Sequence, residues 1–320
     1  MDKSPRDILV LISQKLTLND ILSLATSNRS IFSLLIGRCF LESLSNYFGY
    51  PQGLTIPKLK KYEAMSHLER LLSAAEFDDV KTFERLTTLY NHEYNQVVNN
   101  SGMSDYVKAI DIATKHHSVD VFLALICFGS IGTNTIMFSY AAANNNLDMV
   151  QTLHIGSEQS NKEETDFLLL KKKNYVNAIS SASGYGHYEI IKYIFSVTHF
   201  SYNVDEYNNM LEKACLSNSF KTFKLLLDHC STKRMLDYGS FLQHSYQSVY
   251  ITKFILAEYH NALLEQDLAD AIMRTISVQS KDVLALLLID PLAANLIDEV
   301  INYAIDEGNN EIVEFVRGFK

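Results

Sequence analysis

A chain of 320 residues with 47% hydrophobic side chains carries enough apolar material for extensive burial, which excludes wholesale disorder. Its 4 Pro and 12 Gly are too few for a β-sandwich or barrel, which needs a turn roughly every 8–12 residues, so an all-α chain is expected. The formal charge of −9, from 28 basic and 37 acidic residues, argues against a surface that tracks nucleic-acid phosphates.

The first elements fall in residues 4–34, SPRDILVLISQKLTLNDILSLATSNRSIFSL. Ser4 caps a predicted helix with Pro5 at its first position and Asp7 in its first turn. Ile8, Leu9, Ile12 and Leu16 form an apolar stripe at helical spacing. Thr17, Leu18, Asn19 and Asp20 read as a capping box before a second helix carrying Ile21, Leu22, Leu24 and Ala25. Asn28 and Arg29 break it, and Ser30 starts a third helix reaching toward Tyr47.

This order resembles the F-box, whose pattern is L-P-x-E-I-L-x-x-I-L-x-x-L, a short turn with D-L, and then C-K-x-F/W. Two departures stand out: Ser4 replaces the leucine before the proline, and no cysteine precedes Arg29. The resemblance implies a three-helix domain over residues 1–48. Its Pro5, Ile8, Leu9, Ile12, Leu16, Leu18, Asp20, Ile21 and Leu24 would contact the Skp adaptor and, through it, the cullin of a ubiquitin ligase. The residues alone also fit a three-helix cap over the open end of a repeat array, which such arrays require.

Residues 49–69 hold two of the four prolines in GYPQGLTIPKLKK (49–61) and read as a linker. From residue 70 to 320 the chain repeats itself. ASGYGHYEIIKYI (182–194) and AIDEGNNEIVEFV (304–316) share a small residue, a polar turn, an acidic residue and apolar pairs at helical spacing. The same frame starts at 74, 113, 141, 214 and 275, with a degenerate copy, QHSYQSVYITKFI, at 243. From 74 to 304 the seven intervals average about 33 residues.

These segments are similar to the A-A-x-x-G-H-x-E-I-V-x-x-L-L stretch that spans the two helices of an ankyrin repeat. The likeness implies that Ala142, Ala182 and Ala304 let the first helix pack closely on its neighbour. Gly186-His187, Asn145-Asn146 and Gly308-Asn309 would form the turn between helices, where Gly and Asn tolerate positive φ. Ile190, Ile191 and Ile194, like Ile312, Val313 and Val316, would be the buried stripe of the second helix. No copy carries the T-P-L-H opening or the G-A-D that begins a β-hairpin finger, so the fingers are expected to be reduced or missing. The fold read here is therefore an all-α, ankyrin-like solenoid of about eight repeats behind a small F-box-like domain. Residues 91–103 and 156–175 are read as polar surface insertions.

No nucleophile elbow, zinc-protease helix, phosphate loop or dinucleotide fingerprint occurs. Gly184-Tyr185-Gly186 lies in a repeat turn, His116 and His117 are adjacent rather than one turn apart, and Lys171–Lys173 reads as a solvated run. Cys39, Cys127, Cys215 and Cys230 are far apart and read as buried thiols of a reducing compartment. No cofactor, metal or catalytic residue is expected, and no signal peptide or membrane span, so the chain is read as cytoplasmic. The expected function is a protein-binding adaptor, the target-recognition subunit of a Skp–cullin–F-box ligase. The alternative is an ankyrin scaffold or inhibitor without a ubiquitin role. An F-box joined to divergent ankyrin repeats resembles families of giant DNA viruses and effectors of intracellular bacteria, which would place the work in a host cell.

Overall fold

The computed structural model of the chain describes residues 65–84, 86–87, 102–128, 131–159 and 165–319. The chain divides into two compact units, residues 1–130 and 131–320. Among the described residues every regular element is a helix and there is no strand.

In the first unit, α1 (His67–Glu76) is followed by α2 (Gly102–Lys115) and α3 (Val119–Phe128), all three in mutual contact. Helix α1 starts inside the stretch read as a linker, for a local reason. Ser66 and Glu69 form a reciprocal capping box that satisfies two otherwise orphaned amides.

The second unit is a stack of six helix pairs. They are α4 (Ile131–Ala143) with α5 (Leu147–Gln159), α6 (Thr165–Tyr185) with α7 (Tyr188–Val197), and α8 (Val204–Leu216) with α9 (Phe220–His229). Then come α10 (Tyr238–His244) with α11 (Val249–Glu258), α12 (Glu265–Ser277) with α13 (Lys281–Ile289), and α14 (Ile297–Asp306) with α15 (Asn310–Arg317). First helices touch first helices in the series α4, α6, α8, α10, α12, α14, and second helices touch in the series α5, α7, α9, α11, α13. The unit is a two-layered helical repeat solenoid.

One small motif makes all but one of the pairs. Counting the first residue of every frame as slot 1, slot 5 has positive φ in seven of the eight repeats: Asp78, His117, Asn145, Gly186, Asn218, Gln279 and Gly308. The slot 6 amide then donates to the slot 1 carbonyl, as in Asn146 to Ala141 at 2.9 Å, His187 to Ala182 at 2.8 Å and Asn309 to Ala304 at 2.9 Å. The slot 5 amide donates to slot 2, as in Gly308 to Ile305 at 2.9 Å. This is the Schellman ending of a helix, which absorbs carbonyls left over at the C-terminus. Where slot 6 is Asn, the same residue also caps the next helix: Asn146 accepts from the Met149 amide and Asn309 from the Ile312 amide, both at 3.2 Å. In these repeats one residue ends one helix and starts the next.

Slot 1 must be small because the neighbouring repeat lies against it, and Ala141, Ala182, Ala214 and Ala304 are all fully buried. The second-helix stripe is buried as well, Ile190, Ile191 and Ile194 completely and Ile312, Val313 and Val316 nearly so. Each such side chain contributes about 1.5–3 kcal/mol on leaving water.

Two expectations need correction. Residues 156–159 and 165–175 are not a surface insertion: the first close α5 and the second are the opening turns of the 21-residue helix α6. Tyr175 is 1% exposed there, edge-on to Phe138 and 2.7 Å from His154 Nδ1 through its hydroxyl. Tyr175 anchors the helix, and no Gly or Pro interrupts residues 165–183. Of the other expected insertion, residues 91–101 lie outside the described residues. Repeat 6 keeps its second helix in frame, with Ile251, Thr252 and Ile255 buried, but its first helix slips. Gln243 is half-exposed instead of a buried slot 1, and the turn closes through Ser248 N–H to Ser245 O at 2.7 Å. The fingers are absent among the described residues, as expected. In their place single 3-10 turns at Lys233–Met235, His260–Ala262 and Pro291–Ala293 join consecutive pairs.

Candidate protein-binding surface

The first helices of the second unit present a polar face whose repeats are stitched together side by side. Lys213 Nζ on α8 donates to Ser180 Oγ on α6 at 2.7 Å. Ser240 Oγ on α10 donates to Glu212 Oε1 on α8 at 2.7 Å. Gln243 Nε2 on α10 donates to Asp270 Oδ2 on α12 at 3.3 Å, and Ser277 on α12 meets the Tyr303 hydroxyl on α14 at 3.2 Å. Every junction from repeat 4 to repeat 8 therefore has a side-chain rung. The slots facing the neighbouring repeat are mostly occupied by small and apolar residues, whereas the slots facing outward vary between repeats. The residue just before slot 1 is Ser181, Lys213, Arg274 and Tyr303 in repeats 4, 5, 7 and 8.

Carboxylates dominate this layer from α8 onward. Asp205, Asp237, Glu265, Asp298, Glu299 and Asp306 are exposed, against the half-buried Lys213 and the exposed Arg274. Neither cation makes an ion pair among the described residues. Arg274 instead lies 5.1 Å over the Tyr246 ring. Apolar side chains break the polar field near the turns, where Tyr185 is 67% and Leu216 44% exposed.

Behind this face, an aromatic cluster joins α7, α8 and the end of α9. His229 stacks on Phe195 at 3.7 Å, and the Tyr207 hydroxyl lies 2.8 Å from His229 Nδ1 and donates to the His229 carbonyl at 3.2 Å. Burial lowers the His229 pKa, favouring its neutral ring, and pushes the Tyr207 hydroxyl far up. Burial likewise drives the Cys215 thiol well above its ordinary range, so it packs as a small apolar group. Cys230 is a second free, buried thiol; Cys39 and the side chain of Cys127 lie outside the described residues.

The other residues singled out in the sequence have structural places. Gly184 lies within α6 and Gly186 supplies the left-handed turn. His116 and His117 are exposed where α2 ends, and His117 occupies the positive-φ slot. Lys171–Lys173 lies on α6, with Lys172 paired to Glu206 at 2.9 Å. No group of His, Cys, Asp or Glu among the described residues is placed to hold a metal ion. Pro5, Ile8, Leu9, Ile12, Leu16, Leu18, Asp20, Ile21 and Leu24 lie outside the described residues. The rungs between repeats had a faint signal in the sequence, since polar residues recur in the outward slots, but their pairing needs the stacking geometry.

A solenoid of helix pairs with a uniform inner frame and a variable outer face is the architecture of a protein–protein interaction module. Within it, ankyrin repeats are found: the family model for ankyrin repeats matches residues 138–235 in three copies, from within α4 to the turn after α9. No curated protein and no solved structure matches the chain significantly. No helix among the described residues is long and apolar enough to cross a membrane.

Proposed function

We propose that the chain is a non-enzymatic adaptor that holds a target protein on the first-helix layer of repeats 4–8. The observation that carries this reading is the contrast within one frame, with the buried slots mostly small or apolar and the outward slots varied between repeats. A surface of that kind recognises a partner by its pattern and leaves the stack intact. Its carboxylate excess suits a target that presents Lys and Arg, and such binding weakens as salt screens it.

The finer reading is that residues 4–34 dock the Skp adaptor and residues 70–320 recognise the target, which makes the chain the substrate-recognition subunit of a Skp–cullin–F-box ubiquitin ligase. The in-register match of Pro5, Leu9 and the Leu16-to-Asp20 turn to the F-box pattern supports it. The mechanism is tethering, which raises the target's concentration beside a ubiquitin-charged enzyme to the order of millimolar with no catalytic group in this chain. The likeness to F-box–ankyrin proteins of giant viruses and intracellular bacteria makes a host cytoplasm the place of action. The test is capture from a eukaryotic lysate. The tagged full chain is expected to recover the Skp adaptor together with a cullin, and the Pro5→Ala/Leu9→Ala variant to recover neither. Recovery of a target without either component supports the scaffold reading, in which residues 4–34 are a cap.

A further inference from the structure

The second-helix layer carries a pattern that the adaptor role does not use. Slots 8 and 11 are one helical turn apart and point to the same side. Across repeats 5 to 8, slot 8 is Lys221, Tyr250, Asp282 and Glu311, while slot 11 is Lys224, Lys253, Ala285 and Glu314. All are exposed except Ala285, which is half-buried, and Tyr250 stands out at 72%.

This row is complementary to itself in reverse. Consider a second copy laid face to face on the layer, about a two-fold axis that runs parallel to the second helices between repeats 6 and 7. Repeat 5 then lies against repeat 8 of the second copy and repeat 6 against repeat 7, and each slot meets the same slot. Lys221 faces Glu311 and Lys224 faces Glu314. At the centre the Tyr250 hydroxyl can donate to the Asp282 carboxylate. Lys253 lies over the small Ala285, which leaves room for its stem, and its ammonium reaches Asp282 one turn away. No charge in the row meets its own sign. Near the axis Ile289 is 70% and Val249 36% exposed, so apolar area accompanies the central charged pairs.

We propose that this face joins two copies of the chain in a two-fold symmetric dimer with their repeats in opposite order. Charge complementarity selects the occupant: a second copy, which presents the matching sequence of charges in the matching order. Three pairs within the chain compete, Lys224 with Asp228, Lys281 with Glu311, and Arg317 with Glu314, and all three are surface pairs. Surface pairs are worth little in water, so exchanging them for partner contacts is a small loss. An isologous contact closes on itself, leaving the polar first-helix layers of both copies free for targets.

The test is sedimentation of the full chain over micromolar concentrations, with circular dichroism to verify that each variant keeps its helix content. The parent is expected to dimerise, and more weakly in high salt, where screening shortens the reach of the charges to a few ångströms. Lys221→Glu/Lys224→Glu and, separately, Glu311→Lys/Glu314→Lys are each expected to weaken the dimer at least tenfold. Mixing these two variants is expected to restore association, because both ends are then complementary again. A chain carrying all four changes is expected to dimerise like the parent. A monomeric parent in low salt, a dimer that either reversal leaves unchanged, or failure of the mixed variants to associate would each overturn the proposal.

Discussion

Gly186 and Gly308 occupy the same slot, with φ of +74° and +71°, but their surroundings differ. A Cβ on Gly308 would meet nothing within 4 Å, whereas a Cβ on Gly186 would lie 3.0 Å from Ser219 Cβ and 3.1 Å from Ser219 Oγ in the next repeat. Gly308→Ala therefore carries only the left-handed backbone cost, about 1–2 kcal/mol. Gly186→Ala adds a contact that Ser219 relieves only by shifting a few tenths of an ångström, for a total of about 2–3 kcal/mol. Gly186→Val adds β-branching at positive φ and is expected to be the worst of the three. Gly186→Asn is expected to be milder than Gly186→Ala in backbone strain, since Asn145 and Asn218 hold this slot in neighbouring repeats. Repeat arrays need not unfold in one step, so the assay is hydrogen exchange of the peptides spanning each turn, supported by the urea midpoint of the helical signal. Equal protection losses in Gly186→Ala and Gly308→Ala would refute the contact argument, and no loss in either would refute the turn itself.

Other consequences follow from the same geometry. Gly239→Ala would drive its Cβ into the Asp267 carboxylate, which also accepts the Leu264 amide at 2.8 Å; the urea midpoint should fall, and less than additively with Asp267→Ala. Asn309→Ala removes the cap that accepts from the Ile312 amide, so α15 should lose about 1 kcal/mol of protection by hydrogen exchange. Since burial lowers the folded-state pKa of His229, its contribution to stability is present above the unfolded value near 6.5 and is lost as pH falls through the folded value. His229→Phe should flatten the loss of stability on acidification below that point, read by urea unfolding across the pH range. Far-ultraviolet circular dichroism should show a mostly helical chain, and a sheet content near the globular average of roughly 20–25% would contradict the missing fingers.

How legible this was depended on whether a signal was local. The frame starts and the turn pairs Asn145-Asn146, Gly186-His187 and Gly308-Asn309 could be read because backbone conformation and side-chain size restrict those slots to few residue types. Residues 165–175 misled because Lys171, Lys172, Lys173 and Asn174 look like an exposed loop, while the side chain that anchors the helix, Tyr175, finds its partners on α4 and α5. Repeat 6 misled for the opposite reason. Its second helix is regular enough to carry the frame, but Gln243 sits where a small buried residue belongs and the first helix compensates by a tighter turn. The polar rungs and the basic-to-acidic order of the second-helix layer depend on which repeats stack, and that becomes visible only after folding.

The central proposal, that the chain is an adaptor docked through residues 4–34, is tested most directly by titrating purified Skp adaptor into the full chain and into Ile8→Asp, with a melting curve for each. Measurable binding by the parent, at least tenfold weaker binding by the variant, and an unchanged thermal midpoint are expected. No binding by the parent, together with a midpoint that falls by several degrees in Ile8→Asp, would contradict it, because a charge placed on a cap is forced into the core of the first repeat.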